Sequence, residues 1–235
     1  REFSHYFEAS NGANAIPLKE IGAASEPFTS LAARFFKIGV EHILLGIDHL
    51  LFVLMLLLLV SNIWSLVTTI TAFTIAHSLT LAAATFGYVS APTAVIETLI
   101  ALSIVFMAAE AIRLRQGKSG LAADHPWIVA FGFGLLHGFG FAGALSEIGI
   151  PSDQIPVALL FFNIGVEVGQ LMFVGALIAF AGTAATVMRM PASQEACRAS
   201  LQSGGLSTIL AFGVGIVATF WFVDRLQDVG LPAIL

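Results

Sequence analysis

Between Glu41 and Leu50 the chain reads E-H-I-L-L-G-I-D-H-L, so Glu41, His42, Asp48 and His49 head an apolar run that continues to Val60. Charged side chains inside a membrane span cost about 3 kcal/mol each by insertion scales, so they usually mark a site. On one helix turning about 100° per residue, His42 and His49 fall almost on one line, with Glu41 and Asp48 on the neighbouring stripe. Imidazole and carboxylate on adjoining stripes suit a borderline divalent metal: zinc, nickel or cobalt.

Further polar residues recur at matching depth in later apolar runs. Thr71, Thr74 and Ser78 follow helical spacing, with His77 beside them. Glu97 lies about two turns into its run, and Glu110 near the far end has Arg113 three residues on as a structural partner. His137 stands among glycines in G-F-G-L-L-H-G-F-G-F-A-G. Asn163, Glu167 and Gln170 are spaced four and three apart and make one polar stripe. The expected metal ligands are His42, Asp48, His49, His77, His137 and Glu167. Glu41, Glu97, Ser78, Asn163 and Gln170 are expected to support them or line a pathway. Burial also allows Glu167 to be protonated and bonded within its own stripe. His5 and His125 read as surface histidines, and Phe139 and Phe141 as lipid or core contacts.

The elements that must hold these residues follow from composition. The chain is 57% apolar and 11% charged, with a mean hydropathy of +0.92. Apolar runs of that kind imply an all-α, polytopic membrane bundle of about six transmembrane helices. The expected spans are 39–61, 63–88, 91–114, 126–149, 155–185 and 204–224. Strands are excluded because the runs are long and unalternating. Residues 1–38 read as an external N-terminal arm with an interfacial helix over 28–37, and 39–235 as the bundle. Arg1 in place of Met suggests that a signal peptide or longer N-terminal part was removed. Ten Lys and Arg against fifteen Asp and Glu exclude a nucleic-acid surface. The lone Cys197 excludes an internal disulfide and a cysteine-rich metal site. Glycines 134, 138, 165 and 169 provide small-residue faces for close helix approach. Arg113, Arg115, Lys118, Arg189 and Arg198 in two connections outnumber Arg34, Lys37 and Arg225 on the other side, which puts both termini outside.

These residues resemble the HupE/UreJ family of small bacterial membrane proteins, associated with nickel supply to hydrogenase and urease. The resemblance is carried by H-I-L-L-G-I-D-H at 42–49, A-F-T-I-A-H-S-L-T-L at 72–81, G-L-L-H-G-F-G-F-A at 134–142 and F-N-I-G-V-E-V-G-Q at 162–170. It implies a nickel or cobalt permease-like bundle in the bacterial inner membrane, with periplasmic termini. His42, Asp48 and His49 would be its first metal-binding group, with a further ligand at His137. The family's second motif looks like His-Gly followed closely by Ala and Glu. Here F-G-F-A follows Gly138 and the next acid is Glu147, closer to a second branch of the family.

Three functions fit these ingredients. The first is transport of a divalent metal through an intramembrane His/carboxylate site, by way of several moderate sites. The second is a membrane-embedded zinc hydrolase acting on a lipid or membrane substrate, with a metal-bound water whose pKa falls to about 7. The third is a metal-binding accessory subunit of a larger membrane complex. The expected partners are the metal ion, the bilayer, and a second copy or another membrane subunit. Transport is the leading reading.

Overall fold

A computed structural model describes residues 27–141, 143, 150–187 and 205–230, and every regular element among them is a helix. In chain order these are α1 (Phe28–Leu45), α2 (Ile47–Leu59), α3 (Ile63–Thr85), α4 (Thr93–Arg115), α5 (Leu121–Asp124), α6 (Pro126–Gly140), α7 (Ile155–Val187) and α8 (Gly205–Asp228). Four of them, α3, α4, α7 and α8, are long and apolar enough to cross a bilayer alone. They match the second, third, fifth and sixth expected spans.

The first expected span is not one straight helix. It is broken at Gly46, where α1 and α2 meet at a bend of 73°. Counted as one crossing, this pair makes a fifth span. No break separates the expected arm from the bundle at residue 38, because α1 runs through Lys37 to Leu45. The fourth expected span appears as α6, a 15-residue helix opened by Pro126, a residue suited to the first helical position. Residues 1–26, 142, 144–149, the basic 188–204 connection and 231–235 lie outside the described residues.

Packing follows from side-chain size. α1 lies against α7, α3 against α6 and α4 against α8, and α2 runs between these pairs. Beyond Asp48 and His49 in its first turn, α2 is apolar on all sides, and Phe52, Val53, Met55, Leu56, Leu57, Leu58 and Leu59 are all buried, as a central helix requires. The close pairs form where a glycine leaves room for a backbone. A Cβ at Gly39 would meet the Phe162 carbonyl, and one at Gly165 the Phe36 carbonyl, joining α1 to α7. A Cβ at Gly134 would meet the Phe73 carbonyl, and one at Gly138 the Thr80 hydroxyl and His77 carbonyl, joining α3 to α6.

Polar groups settle the helix ends. Asn62 Oδ1 accepts from Trp64 N at 2.7 Å and caps α3. Arg115 Nη2 donates to Leu58 O at 2.8 Å, so the ends of α2 and α4 lie on one side. Buried Glu110 accepts from Ala122 N at 2.9 Å and holds the one-turn α5 beneath α4, with Arg113 3.6 Å away. This is the structural role expected of Glu110.

Candidate metal centre

The break at Gly46 builds the first half of the site. Seven residues along a straight helix would separate His42 and His49 by about 10.5 Å. With α1 and α2 folded back across the bend, their ring centres are 4.7 Å apart. The shared stripe expected on a straight helix therefore does not exist, and it is the bend that brings the rings together. His77 on α3 stands 6.2 Å from His42 and 6.3 Å from His49. His137 on α6 lies 5.0 Å from His49. Gly134 and Gly138 hold α6 close enough to α3 for these two histidines to share a level.

His77 and His137 are fully buried, at 0% and 1% exposure, and His49 retains 8%. His42 is half-buried. Four phenylalanines wall the group. Phe141 and Phe162 stack on each other at 4.7 Å and flank His42, at 4.4 and 5.4 Å. Phe52 and Phe73 lie 5.4 and 5.1 Å from His137. These walls are apolar, so a polar atom buried among them must find a partner or leave a desolvation cost unmet.

Most of the ring nitrogens have none. His42 Nε2, His49 Nε2, both nitrogens of His77 and His137 Nδ1 are buried without a hydrogen-bond partner. His137 Nε2 does have a partner, 3.2 Å away at Ser103 Oγ. That hydroxyl donates to Ile100 O at 2.6 Å, so it can only accept from His137. Nε2 therefore carries the proton, and the lone pair sits on the unpartnered Nδ1. Orienting a ligand through its other nitrogen is the usual arrangement of metal-binding histidines.

Ring spacing tests the fit to a metal. A metal–nitrogen bond of about 2.1 Å puts the ring centre roughly 3.2 Å from the ion, so rings sharing one ion lie roughly 4.5–6.4 Å apart. The four separations above fall in this range. Among the described residues, no group of three or more His, Cys, Asp or Glu side chains stands, as placed, where it could hold a metal ion. Ligation would therefore require rotation of these rings.

The remaining expected site residues lie around this group. Asp48 precedes His49 in the first turn of α2, and its Oδ2 is 2.9 Å from Arg225 Nη2. Its Oδ1 is buried and unpartnered. Glu167 is bound not within its own stripe but across to α3, where Thr71 Oγ1 donates to Oε1 at 2.6 Å. Thr74 Oγ1 makes the parallel contact to Gln170 Oε1 at 3.1 Å. Asn163 donates to Leu159 O at 2.8 Å and keeps a buried, unpartnered Oδ1. Ser78 donates to Thr74 O at 2.6 Å. Glu41 faces outward and pairs with Lys37 at 3.5 Å. Glu97 is exposed, and its backbone carbonyl accepts from Arg225 at 3.1 Å.

A family model described as HupE / UreJ protein, the second of that name, matches residues 19–225. The chain belongs to the HupE/UreJ family. No curated protein and no solved structure matches it. The match takes in α1 to α7 whole and α8 as far as Arg225, and thus all four histidines of the cluster and both polar pairs of the α3–α7 interface.

Sequence reasoning missed Ser103, the contact made by Arg225, and the walls Phe52, Phe73 and Phe162; Phe141, expected as a lipid or core contact, is the fourth wall. Ser103 carried a weak signal as the sole hydroxyl in the apolar stretch from Leu99 to Ala109. The Thr71–Glu167 contact yields a first prediction. Thr71→Val leaves a carboxylate oxygen unpaired at a cost of about 1–3 kcal/mol. Thermal unfolding in detergent should show a Tm several degrees lower. Glu167→Gln keeps an acceptor for Thr71 and should unfold near the wild-type temperature.

Proposed function

We propose that this HupE/UreJ member carries a divalent transition-metal ion, nickel or cobalt first and zinc as a competitor, across the membrane by way of its histidine cluster. The observation that supports this most is the set of buried ring nitrogens on α1, α2, α3 and α6 that lie close together without hydrogen-bond partners. A cation entering there would meet several lone pairs at once and would satisfy groups that are otherwise costly to bury. Asp48 would supply charge beside the imidazoles. Glu167 would serve further along the path, bound as it is to Thr71 on α3.

The basic residues at the end of α4 give the direction of travel. Arg115 ties that end to the end of α2, and with Arg113 and Lys118 it marks the cytoplasmic side under the positive-inside rule. The start of α2, the start of α4 and the end of α8 then face outward. Both termini lie outside in the bacterial inner membrane. Half-buried His42 is the entry ligand, and His49, His77 and His137 receive the ion. Thr74–Gln170 and Thr71–Glu167 follow at one and nearly two turns back along α3, towards its cytoplasmic start. A graded run of donors of this kind lets an ion bind and still leave. The hydrolase alternative, for which Ser78, Asp48 or Glu97 could serve as oxyanion donor or general base, draws less support, because the Ser78 hydroxyl is committed to Thr74 O and Asp48 to Arg225.

Uptake of Ni²⁺, Co²⁺ and Zn²⁺ into proteoliposomes tests the reading. The wild type should show saturable flux for at least one of them. His49→Ala should lower it by about a hundredfold, as expected when a central ligand is lost. Flux that is equal in the two proteins, or absent from both, removes the transport reading.

A further inference from the structure

Arg225 holds Asp48, the residue before His49, and the metal reading above leaves it without a role. It sits near the C-terminal end of α8, a helix that packs mainly on α4 and only slightly on α2. Its side chain joins the start of α2 to the start of α4. Nη2 holds Asp48 Oδ2 at 2.9 Å, and Nη1 donates to Glu97 O at 3.1 Å. The guanidinium also lies 5.6 Å from the ring centre of Trp221, one turn back on α8. The Arg225 and Asp48 side chains keep only 21% and 23% exposure, so the pair is largely out of solvent. Yet only one carboxylate oxygen is used, and Asp48 Oδ1 stays buried with no partner.

We propose that Arg225 is a tethered counter-cation that holds Asp48 and competes with the entering metal ion for it. The inference rests on the metal reading of the histidine cluster. A guanidinium and a divalent ion on the same carboxylate repel each other, so metal ligation weakens the Arg225 contact and the Arg225 contact weakens metal binding. The two effects are linked and equal in size. The result is a site that binds its cargo moderately and lets it go, as conduction requires. Release of Arg225 also frees α8 from α2 at the outer face, so occupancy of the centre is signalled to a helix that contributes no ligand.

Nickel binding to purified protein in detergent, read by isothermal titration, tests this with wild type, Arg225→Gln and Arg225→Lys. Arg225→Gln should bind Ni²⁺ about two- to fivefold more tightly, the scale of a partly exposed ion pair, while Arg225→Lys stays near the wild-type value. Wild-type binding with equal or weaker binding by Arg225→Gln overturns the proposal and leaves the metal reading intact. No binding by the wild type overturns both. A second measurement needs no variant. Modification of Arg225 by phenylglyoxal, read by peptide mass in the wild type, should accelerate when Ni²⁺ is added. An unchanged rate also overturns the proposal.

Discussion

Gly138→Leu should cost the protein both stability and metal binding, more than any other single replacement between α3 and α6. A Cβ at this position already meets the Thr80 hydroxyl and the His77 carbonyl. The latter is backbone and cannot turn aside, so the helices must part. Forcing extra atoms into a packed interface typically costs about 1–3 kcal/mol, and loss of the neighbouring contacts should take this case to about 3 kcal/mol or more. The functional effect follows from where the collision occurs. Gly138 adjoins His137 and presses on the backbone of His77, so separating the helices moves two rings of the cluster apart. A misplacement of about 1 Å in a positioned group can cost about a hundredfold, and Ni²⁺ affinity should fall by at least that much. Circular dichroism melts and titration of the same detergent preparation read the two effects. Gly132→Ala is the control, since a Cβ there meets nothing within 4 Å, and it should behave as wild type. A wild-type melt for Gly138→Leu would mean that the α3–α6 contact is not as close as described.

How far the sequence foretold the molecule depended on whether the cause was local. The helices α3, α4 and α8 begin and end within a few residues of the spans expected from hydropathy, because a long apolar run has few alternatives in a membrane. Gly134, Gly138, Gly165 and Gly169 were readable as approach points, and each meets a neighbouring helix as expected. The convergence of His42, His49, His77 and His137 was readable from their common depth. What escaped notice has no local signature. Gly46 sits in an apolar run that looks the same whether the helix continues or breaks, and the bend there is 73°. The Asp48–Arg225 contact spans 177 residues, so neither partner announces the other. Arg225 read simply as an outward basic residue near a span end. Glu167 was given its own stripe as the protonated alternative, but the hydroxyl that reaches it comes from Thr71 on another helix. In each case the missing information was the identity of the neighbouring helix.

Gly46→Ala should lower metal binding and stability together. Gly46 has φ −80° and ψ 91°, a conformation open to alanine, so the substitution meets no dihedral barrier. The obstacle is space: a Cβ would stand 2.7 Å from His42 O and 3.0 Å from His49 Nδ1. Alanine also favours helix over glycine by about 1 kcal/mol, which biases the joint towards a continuous, straighter helix. Both effects push His49 away from His42. Ni²⁺ affinity should fall by about a hundredfold, on the same scale as other misplaced groups, and Tm should fall by several degrees as well, because the His42 carbonyl is backbone and cannot turn aside. Loss of affinity alone would not show that His49 is the ring displaced, so the decisive comparison is a double-mutant cycle. If Gly46→Ala acts by moving His49, then adding His49→Ala to it should cost little more, because residues that act through one interaction are strongly non-additive. Full additivity of the two losses would mean that Gly46 matters for another reason and that the fold of α1 onto α2 does not assemble the centre.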